Sequence, residues 1–256
     1  MLRGFYTAAS GILTQQHTMN VLTNNMANVN TPGFRASRVV SSTFEQELLT
    51  RIERGNTGRI GIGAPVRLVS DVPVRFDPSM LKETGRPYDV AIDGQGFFNI
   101  QAKPNEGENE GTQYLTRNGN FDVNAENQLV LPGVGVVLGY EGPIVLENAD
   151  FTITSDGTIY DGNGRYIDRL LITIPPQDTE IKQAQNGLYQ TVNMEENLAV
   201  TDDTQLLQGW TESSNIDLNQ EYTMVMEAQR AFQACSTALQ LIDTIDQKAA
   251  TQIASV

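Results

Sequence analysis

Residues 5–29 read FYTAASGILTQQHTMNVLTNNMANV, and apolar side chains recur along this stretch in alternating steps of three and four. The repeating positions are Phe5, Ala8, Ile12, Gln15, Met19, Leu22, Met26 and Val29. Only Gln15 among them is polar. This spacing is typical of the seam along which helices wrap around each other. It predicts a long amphipathic helix over residues 2–28, which ends before Pro32 because the residue preceding a proline favours extended geometry.

The C-terminal segment carries a second stripe of the same kind. Its positions are Val225, Ala228, Phe232, Cys235, Leu239, Ile242, Asp246, Ala249 and Ile253. Asp217, with Gln220 three residues later, resembles a capping box and places the start of this helix. Two such stripes at opposite ends of one chain predict helices that pair within one molecule, between molecules, or both. The residues predicted to form this assembly seam are Phe5, Ile12, Met19, Leu22, Met26, Val225, Phe232, Cys235, Leu239 and Ile242.

Composition restricts the possible functions of the chain. Its 256 residues suffice for one large or two modest domains. The formal net charge is −14, and residues 87–256 hold 25 acids against seven Lys and Arg. Such an acidic bulk argues against nucleic-acid binding, which needs a basic face. Residues 35–86 form the only basic stretch, which is predicted to pair with acidic surface on a neighbouring subunit or domain.

The apolar pattern also indicates whether the chain contains a membrane span or a signal peptide. No apolar run approaches the 18 or more residues of a membrane span, so none is predicted. The N-terminal apolar residues are periodic and not continuous, so no Sec-type signal peptide is predicted either.

From about Tyr88 the period of the apolar pattern changes to two, which is typical of strands. Turn sequences separate the runs: Asp93-Gly94, Asn118-Gly119, Pro132-Gly133, Asp156-Gly157 and Asp161-Gly162-Asn163-Gly164. Asn-Gly and Asp-Gly are favoured in tight hairpins, so this region is predicted to be an antiparallel β-domain.

The predicted organisation has three parts. Residues 1–34 and 215–256 form a discontinuous helical assembly domain, and residues 88–214 form a β-rich outer domain. Residues 35–87 are predicted to be an extended connector. Within it, short strands are expected around 66–69 and 72–75, and Phe44-Glu45-Gln46-Glu47-Leu48-Leu49 could form a short helix.

The sequence offers no convincing reactive or metal-binding centre. His17 is the only histidine, so no histidine pair exists for zinc. Cys235, the single cysteine, is expected to be a small buried side chain. The Asp-Gly pairs lack the spacing of a calcium loop and are better explained as hairpin turns. The run Glu106, Glu108 and Glu110 is expected to be a solvated loop. We predict no catalytic, cofactor-binding or metal-binding residues.

Four separated stretches resemble bacterial flagellar rod and hook proteins. Residues 23–34, TNNMANVNTPGF, are similar to the family's N-N-x-A-N-x-x-T-x-G-[FY] signature. Residues 89–98 (DVAIDGQGFF) and 114–121 (YLTRNGNF, followed by QLV) are similar to segments of its β-domain. QGWTESSNID at 208–217, followed by AQRAF, is similar to its C-terminal signature. The motif residues are Asn24, Asn25, Asn28, Thr31, Gly33, Phe34, Asn215, Gln229 and Arg230. Asn127 stands where the family usually has Gly, and Asn also tolerates a tight turn.

The resemblance implies an α+β fold, with terminal helices in a coiled-coil domain and an inserted antiparallel β-rich domain. It implies a structural, non-enzymatic subunit that polymerises into a helical tube and transmits torque from motor to hook. The implied partners are further copies of the chain, other rod and hook subunits and the flagellar type III export apparatus. The implied location is the basal body in the cell envelope.

The length of the chain favours a distal rod protein or a rod paralogue of similar size, because proximal rod proteins are usually shorter and hook proteins longer. A proximal rod or hook-type subunit is the alternative within the family. Two alternative functions lie outside the family. One is a secreted adhesin or binding module. The other, with no positive support, is a peptidoglycan hydrolase, which would need two carboxylates around a sugar cleft.

Overall fold

Two long helices bracket a region of strands in the computed structural model of the chain. The described residues are 2–43, 47–53, 56–63, 67–74, 79–102, 112–147, 150–176, 181–184, 187–191, 198–199 and 204–254. The helices are α1 (Leu2–Ala27) and α2 (Leu218–Ala254). The α+β class that the sequence predicts fits this arrangement.

The strands are short and pair antiparallel. They are β1 (Val40–Thr43), β2 (Glu47–Glu53), β3 (Asn56–Gly63), β4 (Arg67–Asp71), β5 (Leu81–Glu83), β6 (Val90–Asp93), β7 (Phe97–Ala102), β8 (Gln113–Thr116), β9 (Asp122–Val123), β10 (Leu129–Leu131), β11 (Gly135–Val137), β12 (Phe151–Ile153), β13 (Thr158–Asp161), β14 (Tyr166–Arg169), β15 (Ile172–Ile174), β16 (Ile181–Gln183), β17 (Leu188–Thr191), β18 (Leu198–Ala199), β19 (Gln205–Gln208) and β20 (Trp210–Glu212).

The chain divides into two compact units. The first, here called the helical unit, comprises Met1–Ala27, Ser37–Arg75 and Ile216–Val256. The second, here called the β unit, comprises Asn28–Ala36 and Phe76–Asn215.

In the helical unit, α1 and α2 run antiparallel. Gly4 lies against Ile242, Gly11 lies against Cys235, and the Asn25 side chain reaches a residue at the start of α2. The helices approach closely because Gly11 has no side chain: a Cβ there would stand 3.0 Å from Cys235 Sγ.

The predicted coiled coil is wrong. A coiled coil requires large apolar side chains of one helix to insert between those of the other. Phe5 of the predicted stripe is instead 42% exposed, and Ile12 is only half-buried. The contacts of α1 run through small residues one position away, such as Gly4 and Gly11. The stripe therefore marks the buried side of α1 only in part, since Ala8 and Leu22 are buried while α2 approaches most closely at glycines next to the stripe.

At the start of α2, Asp217 acts as the predicted helix cap. Its Oδ1 accepts hydrogen bonds from the backbone N–H groups of Asn219 (2.9 Å) and Gln220 (3.4 Å). These bonds satisfy donors that the first turn of a helix leaves without partners.

Two-stranded sheets complete the helical unit. β1 pairs with β4, which overlaps the short strand predicted around 66–69, and β2 pairs with β3. The predicted helix at Phe44-Leu49 is wrong where it can be judged, because Leu48 and Leu49 pair with Ile62 and Gly61 in a hairpin. Its residues 44–46 lie outside the described residues. Strand pairing therefore outweighs the local preference of this segment.

The β unit contains the main hydrophobic core. Within the described residues, nine strands form one sheet along the order β16-β17-β8-β7-β11-β10-β9, with β15 joining β7 and β18 joining β15. β12, β13 and β14 form a three-stranded sheet, while β6 pairs with β19 and β5 with β20. Phe98 and Phe121 meet edge to face in the core with ring centroids 5.1 Å apart. Each buried apolar side chain of this size contributes about 1.5–3 kcal/mol to stability.

Most of the predicted turns are present. Pro132-Gly133, Asp156-Gly157 and residues 161–164 close the hairpins β10–β11, β12–β13 and β13–β14. Asn127 adopts a φ of +61°, which confirms that this asparagine tolerates the left-handed conformation of a tight turn.

Asn118-Gly119 differs from the prediction, because it does not close a hairpin between neighbouring strands. A Cβ on Gly119 would stand 1.7 Å from the carbonyl oxygen of Val90. Glycine is therefore required there by the close approach of another backbone segment.

Candidate functional site

Two buried polar clusters, one in each unit, each contain at least one residue of the sequence motifs. In the β unit, the guanidinium of Arg35 forms an ion pair with the carboxylate of Glu212. Arg117 Nη1 lies 3.5 Å from Glu212 Oε2. Ser79 Oγ donates a hydrogen bond of 2.7 Å to Glu212 Oε1. Because all three charged residues are at least nine-tenths buried, Glu212 is the shared counter-charge of two arginines that have little access to water.

The backbone around this cluster brings its members together. Gly33 N–H donates to the Glu212 carbonyl (2.8 Å), and Asn215 N–H donates to the Phe34 carbonyl (3.4 Å). Asn215 Oδ1 accepts a 2.7 Å hydrogen bond from the Ala36 N–H. Within the β unit, segments 33–36 and 212–215 therefore lie side by side, which places Arg35 next to Glu212.

Arg117 is held on several sides. Its Nη1 and Nη2 donate to the carbonyls of Ile92 (3.3 Å) and Gly94 (2.7 Å), and its guanidinium lies 5.5 Å from the centre of the Phe97 ring. Burial lowers the pKa of Arg117, and the neighbouring Glu212 carboxylate opposes that effect. With these partners, Arg117 has a structural role in connecting neighbouring segments, and it is poorly placed for proton transfer.

A tyrosine closes the cluster. The hydroxyl of Tyr189 accepts a hydrogen bond of 3.2 Å from the backbone N–H of Arg35. Burial raises the pKa of Tyr189, so the phenol is protonated at neutral pH. A neutral hydroxyl adds no charge to a cluster in which two cations already share one anion.

The second cluster, in the helical unit, is built around Asn25. This side chain is fully buried; its Nδ2 donates to the Ser37 carbonyl (2.9 Å) and to Glu221 Oε2 (3.4 Å), while its Oδ1 accepts from Ser37 N–H (3.1 Å). Arg38 donates from both terminal nitrogens to the two oxygens of Glu221, at 2.9 and 2.5 Å. Such two-pronged contacts between arginine and carboxylate are strong and directional.

Asn25→Ala is expected to lower the free energy of unfolding of the helical unit by about 2–4 kcal/mol, because it removes three buried hydrogen bonds, two with the Ser37 backbone and one with Glu221. Thermal melting followed by circular dichroism at 222 nm measures this. Asn20→Ala, an exposed position of the same helix, is the matched control and should shift the melting temperature little. Equal shifts for the two variants would contradict a structural role for Asn25.

The remaining predicted motif residues occupy several environments. Thr31 N–H donates to the Asn28 carbonyl (3.1 Å) in the turn after α1, and Phe34 is buried. Asn24, Gln229 and Arg230 have exposed side chains. The structure thus brings Gly33, Phe34 and Asn215 together in the β unit and places Asn25 in the other cluster.

The predicted seam residues are spread over a range of burial. Leu22 is buried and Phe5 is exposed. The others are half-buried: Ile12, Met19, Met26, Val225, Phe232, Cys235, Leu239 and Ile242. Their role between molecules stays a prediction.

The sequence reasoning missed the ionic members of both clusters. Arg35 directly follows the N-terminal motif, while Arg117 and Glu212 lie inside quoted motifs. The positions of Arg117 and Glu212 inside family motifs were a signal that each side chain pairs with a buried opposite charge. Glu221 and Arg38 lie outside the quoted motifs, and only the fold pairs them.

Within the part of the chain that the structure describes, no three His, Cys, Asp or Glu residues are grouped so as to hold a metal ion. Among the described helices, none combines the length and apolar character needed to cross a bilayer. The acidic run at Glu106, Glu108 and Glu110 lies outside the described residues.

The chain is thus an α+β protein in which buried ion pairs hold together segments that are distant in the sequence. Three family models match the chain: flagella basal body rod protein over residues 5–35, flagellar hook protein FlgE/F/G D1 domain over 91–159, and flagellar basal body rod FlgEFG protein C-terminal over 207–253. These matches contain Arg35, Arg117 and Glu212.

Curated relatives agree over nearly the full length. The chain is 31% identical to the flagellar hook-basal body complex protein FlhO of Bacillus subtilis, covering 100% of both chains. It is 32% identical to the flagellar basal-body rod protein FlgG of the same species, over 97% of this chain and 98% of the relative. It is 30% identical to the rod protein FlgF of Caulobacter vibrioides, over 91% of each. The chain belongs to the flagellar basal-body rod and hook protein family, whose place is the basal body of the flagellum.

Proposed function

We propose that this chain is a non-enzymatic structural subunit of the distal rod of the bacterial flagellum. The observation that carries the proposal is the identity of 32% to a rod protein FlgG over almost the whole of both chains. A similar-sized rod paralogue is the second candidate, favoured by the 30% identity to a rod protein FlgF over 91% of each chain.

In this proposal the subunits polymerise into a helical tube that transmits torque from motor to hook. The tube contacts other rod and hook subunits, and its subunits leave the cell through the flagellar type III apparatus. Exposed apolar side chains in the helical unit support assembly, because large exposed apolar surface commonly marks contact sites. They include Phe5, Tyr6, Leu13, Leu241 and Ile245.

The seam prediction is tested best at an exposed position, where a substitution should leave the stability of the monomer unchanged. Phe5→Ser is expected to reduce incorporation into basal bodies at least tenfold while the melting temperature of the purified monomer changes little. His17→Ser, on an exposed part of the same helix, is the control and should incorporate normally. Leu22→Asp is less informative, because Leu22 is buried within the monomer. Normal incorporation of Phe5→Ser would remove this residue from the seam.

The location itself is tested by immunogold electron microscopy of isolated basal bodies. Label along the rod next to the hook is expected for a distal rod subunit, and label nearer the motor would favour the paralogue. Protein found only as a soluble extracellular monomer would contradict both candidates and favour a secreted binding module.

A further inference from the structure

In the helical unit, α2 is longer than α1 and continues beyond it. α1 has 26 residues and α2 has 37. Gly4 lies against Ile242, so in this antiparallel pair the start of α1 at Leu2 stands beside Thr244 of α2. Residues 245–254, here called the α2 extension, therefore reach about 15 Å past the start of α1. Within the described residues, no part of α1 lies beside them.

The extension and the turn before it carry an exposed apolar face. Leu241 is 60% exposed and Ile245 is 56% exposed. With Lys248 they occupy positions i, i+4 and i+7, so the three side chains lie on one side of the helix, here called the extension face. A helical segment of about this length is only marginally stable in water without tertiary contacts. The extension is therefore expected to gain stability by docking.

A groove lies at the other end of the helix pair, near the end of α1 and the start of α2. Its volume is about 380 Å³. The apolar residues that line it are Val21, Leu22, Val39, Met224, Ala228 and Ala231. Arg38 also lines the groove, but its charge is paired with Glu221. Because an apolar cavity of about 150 Å³ already takes up benzene, the groove has room for aliphatic side chains such as Leu and Ile.

The groove and the extension face match in length and in charge. On α2 the groove spans residues 224–231, about 10 Å or two turns, and Leu241 and Ile245 stand one turn apart. Glu227 is exposed at the groove, and Lys248 is exposed on the extension face. Among the described residues, neither of these two forms an ion pair. Their opposite charges can therefore meet when the extension face enters the groove.

The extension cannot reach the groove of its own chain. Ala231 and Ile245 belong to the same continuous helix, about 21 Å apart along its axis. An occupant with the extension's chemistry must therefore come from another molecule. Because the groove and the extension lie at opposite ends of one helix pair, copies in the same orientation can make a head-to-tail contact. Such a contact produces an open helical assembly when its rotation does not close a ring.

We propose that the α2 extension of one copy of this chain docks, through the extension face, in the groove of a second copy. The contact has the form of an amphipathic helix in an apolar groove, with anchors at positions i, i+4 and i+7. The proposal rests on the proposed assembly into a homopolymer, and it names the two surfaces through which successive subunits contact each other.

The first test changes each surface alone in the full-length protein, in cells whose own gene copy is deleted, and measures the fraction of the protein in isolated basal bodies. Ile245→Ser, which removes an anchor, and Ala231→Trp, which fills the groove, should each lower that fraction about tenfold or more. The melting temperature of each purified variant should change little, because both positions face open space in the monomer.

The matched controls are Gln247→Ser and Gln233→Trp, at exposed positions on the opposite side of α2. Both should assemble normally. Normal assembly of Ile245→Ser and Ala231→Trp as well would overturn the proposal.

The second test identifies the occupant by disulfide formation between Ile245→Cys and Ala231→Cys, with Cys235 kept. A disulfide needs Cα atoms about 4.4–6.8 Å apart, so these two cysteines cannot pair within one chain. Oxidised basal bodies of the double variant should give a ladder of disulfide-linked multimers of this 28.1 kDa chain, and neither single variant should. A ladder from Ile245→Cys alone would show that the extension reaches Cys235 instead of the groove, which overturns the docking site.

The same experiment separates this proposal from the proposed function. A double variant that reaches basal bodies but forms no ladder would overturn the docking contact and leave the proposed function intact. Failure of the unaltered protein to reach basal bodies would instead contradict the proposed function.

Discussion

Glu212→Ala is expected to lower the free energy of unfolding of the β unit by about 3–5 kcal/mol, the usual cost of removing one partner from a buried ion pair. The reason is that Arg35 and Arg117 would both remain buried without their counter-charge. A domain of ordinary stability has only about 5–15 kcal/mol in total, so the variant should unfold at a clearly lower urea concentration than the unaltered protein.

Urea denaturation followed by the fluorescence of Trp210, the single tryptophan, measures the effect in the β unit. Circular dichroism of the same samples guards against a direct effect of the mutation on the nearby indole. The matched control is Glu83→Ala on strand β5, which pairs with Trp210 but exposes its carboxylate. The control should change stability by less than about 0.5 kcal/mol. An equally small effect of Glu212→Ala would show that water reaches the arginines and that the cluster does not stabilise the fold.

Gly33→Ala is expected to prevent stable folding of the β unit, with a loss of more than about 4 kcal/mol. Gly33 has a φ of +68°, and a Cβ there would stand 2.2 Å from the carbonyl carbon of Arg117. The backbone cannot simply retreat, because Gly33 N–H is bonded to the Glu212 carbonyl at 2.8 Å. The variant therefore combines an unfavourable dihedral angle with a clash against another main-chain segment.

Gly85→Ala separates these two effects. Gly85 has nearly the same φ, +69°, but no atom lies within 4 Å of a Cβ placed there. Its substitution should cost only the left-handed backbone penalty of about 1–2 kcal/mol. The two variants are compared by the same urea titration. If they lose equal stability, the dihedral angle alone determines the glycine requirement and the close approach to Arg117 is unimportant.

Local features of the sequence predicted much of the architecture. Apolar steps of three and four located both helices, and Asp217 located the start of α2, because helix period and capping depend on residues within one or two turns. Alternating runs and Asn/Asp-Gly turns located the hairpins for the same reason. Asn127 was correctly expected to tolerate a tight turn, since a positive φ is a property of the single residue and its turn.

Features that depend on distant residues were missed or misplaced. The predicted stripe of α1 coincides with its buried side at Ala8 and Leu22, but near Phe5 and Ile12 the close approach of α2 is at the neighbouring Gly4 and Gly11. A hydrophobic period shows that one side is apolar and does not show how closely a partner can come. The segment Leu48-Leu49 was assigned to a possible helix, and its pairing with Gly61 and Ile62 makes it a strand.

The amino-acid sequence alone determined the two helices, most of the turns, the β-rich middle and the family resemblance, because each rests on residue types at short, fixed spacings. Only the tertiary structure decided that Arg35 and Arg117 share Glu212, and that Asn25 and Arg38 meet Glu221. The partners in these clusters stand tens to nearly 200 residues apart in the chain. A charged side chain has no short-range pattern that identifies its partner, because Coulomb attraction and desolvation depend on distance and burial after folding.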